Sequence, residues 1–252
     1  MTPDSALAGA VRPSPNFGAR PAGAATDILL LHYTDMPTAE AAIAWLADPR
    51  SQVSCHYVVA EDGAITQMVP ESARAWHAGV SAWKGEGDVN SRSIGIEITN
   101  LGHDHGYPDF PNAQIAAVIA LGRDICARHA IRPERVLAHS DVAPGRKRDP
   151  GEKFPWHRLA AAGLGHFVEP EPISGGRFLQ IGDAGQPVEA LQAMLAWYGY
   201  PVEISGRFDT GTEQVTAAFQ RHFRPARVDG VADASTIATL HRLSRALAAP
   251  AA

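Results

Sequence analysis

Between Ala138 and Gly151 the chain places an imidazole (His139), an amine (Lys147) and a carboxylate (Asp149) within a single short segment. The apolar run Val136–Leu137–Ala138 before it reads as the end of a buried strand. Pro144, Gly145, Pro150 and Gly151 keep the residues after that run out of helix or strand. His139 is therefore expected at a strand exit and Asp149 on a constrained loop. These are parts of a metal-assisted hydrolysis site. Taken alone, the segment also fits a polar surface loop whose His and Asp face water.

A second imidazole changes the weighing. His32 closes the apolar run Ile28–Leu29–Leu30–Leu31, so both histidines can project from the same end of one sheet. With Asp149 they supply two nitrogens and one oxygen. That is the ligand set of a catalytic zinc, which leaves its fourth position for water. A closed structural site needs a fourth protein ligand, and neither Cys55 nor Cys126 is placed to provide it. The competing reading of His32 is a core histidine bonded to backbone. Glu97 lies in the alternating run Ser93–Asn100, with Ile94, Ile96 and Ile98 on one face and Gly95, Glu97 and Thr99 on the other. A carboxylate there is costly to bury unless it is paired or does chemistry, and if its face lines a cleft it can shuttle a proton. A solvated face or a structural ion pair is the alternative. Lys147 can stabilise an oxyanion; on its own it is a solvated lysine.

The elements that must carry these groups are set by periodicity and punctuation. Ile28–Leu31 reads as a central strand covered on both faces. Thr38–Ala47 is a short helix stopped by Asp48–Pro49. Val53–Ala60 and Ala64–Val69 form a hairpin around Glu61–Asp62–Gly63. Ile115, Val118, Ile119, Ile125 and Cys126 recur at helical spacing from Gln114 to His129, and a short helix comes next near Trp156–Ala162. Beyond a Pro- and Gly-bearing stretch, apolar stripes mark three helices near 187–198, 210–223 and 234–247. The expected architecture is a mixed α/β domain with a central sheet flanked by helices, followed by a small three-helix domain. The boundaries are an extended arm over 1–25, a catalytic domain over 26–165, a linker over 166–177 and the helical domain over 178–252.

Composition narrows the functional classes. The chain is 45% hydrophobic and 19% charged, as expected of a globular protein. A formal charge of −5 gives no basic footprint for nucleic acid, and no apolar run approaches a membrane span. The two cysteines lack metal or redox spacing and read as thiols. The first 25 residues lack the basic start and apolar core of a secretory signal. Cytoplasmic residence is therefore expected, with the periplasm or cell envelope as the alternative if a leader has been removed.

Five blocks then occur in order: Leu31–His32–Tyr33–Thr34, Ser54–Cys55–His56–Tyr57, Ala75–Trp76–His77–Ala78–Gly79, Ser93–Ile94–Gly95–Ile96–Glu97, and His139 through Gly151. From about Pro13 to Gly165 the chain resembles the zinc-dependent N-acetylmuramoyl-L-alanine amidases. The likeness is greatest to the bacterial branch that accepts anhydro-muropeptides and intact peptidoglycan. The resemblance implies Zn2+ held by His32, His139 and Asp149, Glu97 as catalytic acid/base, Lys147 as oxyanion partner, and Trp76 and His77 lining the substrate groove. The tail, with Gly185, Leu191–Gln192, Gly206–Arg207–Phe208–Asp209, Phe219–Gln220 and Asp229–Gly230, resembles a peptidoglycan-binding domain; a tail that only packs on the catalytic part is the alternative. The expected partner is peptidoglycan or a muropeptide. Two rivals stand beside the amidase: a non-catalytic peptidoglycan-recognition module, and a zinc peptidase cutting within the stem peptide.

Overall fold

The computed structural model describes residues 1–248. Six strands form one mixed sheet in the order Ala10–Val11, Ile65–Gln67, Tyr57–Val59, Ser93–Ile98, Ile28–Tyr33 and Val136–Ala138. The last four in that order run parallel, and the hairpin pair Tyr57–Val59 and Ile65–Gln67 is antiparallel. The fully apolar Ile28–Leu31 run has the cause expected of it. Leu29 and Leu31 enter a core with Ile94, Ile96 and Ile98 beneath the Asn112–His129 helix. Ile28 and Leu30 point the other way, into a second core with Leu137. Each such leucine contributes about 1.5–3 kcal/mol by leaving water.

That second core is shared with the C-terminal helices. Val188, Leu191 and Leu195 of Gln186–Tyr198, Val215, Phe219 and Phe223 of Thr210–Phe223, and Leu240 and Leu243 of Ala234–Ala248 complete it. The three helices stand where their stripes place them, and they are seated on the sheet. Each of two connections inside this domain is closed by a buried glutamine. Gln192 accepts from the Ser205 and Gly206 amides, and Gln220 accepts from the Asp229 and Gly230 amides. A smaller third cluster, Leu46, Cys55, Val58 and Met68, packs the Ala39–Leu46 helix on the same face nearer the other edge.

Three expectations are modified. The 1–25 arm is extended but sewn in: Ala10–Val11 pairs with Ile65–Gln67, and Phe17–Ala19 pairs with Ala73–Ala75. The 166–177 segment is not a free linker throughout, because Phe167 packs against both cores and the Glu171 amide donates to Thr239 Oγ1 at 3.0 Å. The stretch after Ala138, expected as loop, begins with a one-turn helix, His139–Val142, whose Ala143 amide closes on the His139 carbonyl. Among the described residues no helix is long and apolar enough to cross a membrane.

Candidate active site

Parallel pairing sets His32 beside Glu97 across adjacent strands, on the face opposite the long helix. His139 leaves the next strand, and Asp149 is brought back to it because the Ser140 amide donates to the Asp149 carbonyl at 3.1 Å. Three atoms then converge. His32 Nδ1 lies 2.9 Å from His139 Nδ1 and 3.1 Å from Asp149 Oδ2, and His139 Nδ1 lies 3.0 Å from the same oxygen. All three residues are buried.

The surrounding bonds assign the ring protons. His139 Nε2 faces the Ala78 carbonyl at 3.0 Å, so that nitrogen is the donor and Nδ1 keeps its lone pair. Behind His32 runs a chain: Ser93 Oγ donates to the Val89 carbonyl and accepts from His77 Nε2. His77 Nδ1 is thereby the acceptor for His32 Nε2, 3.0 Å away, which turns the His32 Nδ1 lone pair inward as well. Burial, together with His32, holds His77 neutral, well below the ordinary imidazole range, as this chain requires. Burial and then His139 lower His32 to about 4. Burial opposes charge on Asp149, but His139 and the imidazole contacts outweigh it and hold the carboxyl well below its usual range. Two nitrogen lone pairs and a carboxylate oxygen face one another with no hydrogen among them. Such a set repels itself unless it holds a cation, so these residues fit a divalent metal.

Glu97 stands beside this triad with Oε2 buried and without a partner among the described residues. Burial first, and the Asp149 charge second, push its carboxyl well above the ordinary range; Lys147 works in the opposite direction. The partly buried Lys147 side chain forms no salt bridge with the described residues. It lines, with His32, Glu97, Asp149, Trp45 and Trp76, a cleft of about 360 Å³ between the Ala39–Leu46 helix and the His139–Asp149 segment.

The five residues chosen for their chemistry thus come together. Trp76 reaches the cleft wall. His77 does not serve as a free substrate contact: it touches the wall, but both ring nitrogens are engaged by His32 and Ser93. Trp45 and Arg146 also line the cleft, and sequence reasoning missed both. Trp45 is 46% exposed, and its only sequence signal is a tryptophan off the apolar side of a short helix. Cys55 is buried in the third cluster, away from the triad.

A family model described as N-acetylmuramoyl-L-alanine amidase matches residues 22–152, and one for a peptidoglycan-binding domain matches residues 184–240. The chain belongs to the N-acetylmuramoyl-L-alanine amidase family. This amidase is 42% identical over 233 residues to the N-acetylmuramoyl-L-alanine amidase AmiD of Escherichia coli, covering 86% of the chain and 81% of that protein. The solved complex of the E. coli AmiD with anhydro-N-acetylmuramic acid-L-Ala-D-gamma-Glu-L-Lys aligns with a TM-score of 0.75 at 38% identity, over 90% of this chain and 92% of that one. AmpDh3 of Pseudomonas aeruginosa, solved with an anhydromuramic pentapeptide, aligns with a TM-score of 0.73 at 30% identity, over 95% and 96%.

Proposed function

We propose that the amidase uses zinc, held by His32, His139 and Asp149, to hydrolyse the amide between the lactyl group of N-acetylmuramic acid, or its 1,6-anhydro form, and the L-alanine that begins the stem peptide. The observation that carries this is the lone-pair triad set in one cleft beside a carboxylate whose buried Oε2 has no partner among the described residues. Zinc, when bound, supplies Lewis-acid polarisation of the lactyl carbonyl and makes water a better nucleophile at neutral pH. Glu97, with its raised proton affinity, accepts a proton from the attacking water and delivers it to the alanine nitrogen as the C–N bond breaks. Lys147 faces the cleft and holds the negative charge that develops on the carbonyl oxygen. Trp45 and Trp76 offer flat apolar surface at the cleft wall, suited to the sugar ring and the stem peptide. The products are a muramic acid with a free lactyl carboxylate and a peptide with a free alanine amine.

A recognition module without turnover has no need of Glu97 and Lys147 beside the triad. A peptidase cutting within the stem differs in its products. Mass analysis after incubation with purified anhydro-muropeptide separates these readings. Free stem peptide beginning with alanine supports the amidase; a shortened peptide still attached to sugar, or no cleavage by zinc-loaded protein, overturns it. Measured beside it, the rate on whole sacculi reports which of the two forms of substrate is preferred.

A further inference from the structure

Two residues after His139 sits a carboxylate that the chemistry above does not use. Asp141 is fully buried in the one-turn helix that His139 opens. Its Oδ2 accepts at 2.8 Å from the Ala138 amide, which belongs to the Leu137–Ala138 peptide group at the end of the strand, one residue before His139. The remaining two contacts come from far along the chain. His222 Nδ1 donates to Oδ2 at 2.7 Å, and the Tyr200 hydroxyl donates to Oδ1 at 2.7 Å. Tyr200 comes just after the Gln186–Tyr198 helix and His222 lies on Thr210–Phe223, both in the C-terminal domain.

The same helix touches the metal-site segment elsewhere. A Cβ on Gly145, between His139 and Asp149, would stand 2.2 Å from Gln214 Oε1. The His222 ring is itself fixed, stacked on Trp156 at 3.7 Å and on Phe223 at 3.8 Å. A buried carboxylate needs its donors, since an unmatched one is driven to move or to admit water. Either loosens the bond to the Ala138 amide and with it the direction in which His139 leaves the strand.

We propose that Tyr200 and His222 are positioning residues for the metal site, by which the C-terminal helical domain, through Asp141, sets the orientation of His139. The inference rests on the reading of His139 as a metal ligand. It gives the domain a task distinct from binding cell wall. The catalytic half borrows part of its metal-site scaffold from a domain that on sequence grounds is a separate module.

The test uses the full-length chain and zinc alone as the probe, with affinity measured by competition against a chromogenic chelator and the unfolding midpoint measured on metal-free protein. Tyr200→Phe combined with His222→Phe puts a six-membered ring at both positions and removes both donors; it should weaken zinc binding by roughly tenfold, the low end of what loss of a direct partner of a metal ligand costs. Tyr200→Phe alone should act in the same direction and serves if the double variant does not fold. His222→Asn, which restores an N–H near the Nδ1 position, should stay within about threefold of the parent. Leu243→Ala, a core truncation in the same domain with no bond to Asp141, should lower the unfolding midpoint and leave zinc affinity unchanged. The inference is overturned if the donor-free variants bind zinc within twofold of the parent, or if Leu243→Ala weakens binding as much as they do. His139→Ala marks the separate failure: if it binds zinc as tightly as the parent, the reading of the site is wrong, and the inference falls with it.

Discussion

Glu97 keeps one carboxylate oxygen buried and without a hydrogen-bond donor among the described residues, an arrangement that costs stability and persists where function holds it. Replacing it by glutamine preserves shape and removes the base. Glu97→Gln should retain the parent's zinc content while kcat/KM falls by about 10²–10⁴; near-normal turnover would remove it from the acid/base role. His32, His139 and Glu97 are legible as polar groups at the ends of apolar strands or inside one, and Asp149 and Lys147 because they share one short constrained segment with His139; each alone also has an ordinary structural reading, and only their combination points to chemistry. The support behind them is not. Nothing in the spacing of His32, His77 and Ser93 announces that they bond in series, and Asp141 reads as one more polar residue until Tyr200 and His222 are seen against it.

The strand Ser93–Ile98 carries the most economical piece of site construction. Gly95 occupies the position facing His77, and a Cβ there would lie 2.6 Å from His77 Nδ1, the atom that accepts from His32. A glycine inside an alternating strand commonly marks such a close approach, a signal present in the sequence. Gly95→Ala should push the His77 ring from its seat and weaken zinc binding by roughly tenfold; unchanged affinity would mean that the chain behind His32 does not orient it. Strand lengths are harder to read. Patterning makes Val53–Ala60 one strand, yet only Tyr57–Val59 forms it. Ser54 instead bonds to Asn16 and Trp76, partners from distant segments that local patterning does not contain.

Across the whole molecule, the positions of the three C-terminal helices are legible from their stripes, but their seat is not. Periodicity shows that a face is apolar without showing what covers it, and here the sheet's Ile28, Leu30 and Leu137 complete the helical core. The two parts should therefore unfold together. Calorimetry on metal-free protein should give one transition, and Leu30→Ala, which leaves a cavity at the junction, should lower it as a unit by about 2–5 kcal/mol. Two resolved transitions, with only one moved by Leu30→Ala, would contradict a shared core. The proposed activity requires His32, His139 and Asp149 to hold one ion. Calorimetric titration of metal-free protein with zinc tests this most directly: one equivalent should bind tightly to the parent, and tight binding should be lost in Asp149→Ala. Undiminished stoichiometric binding by Asp149→Ala would contradict it.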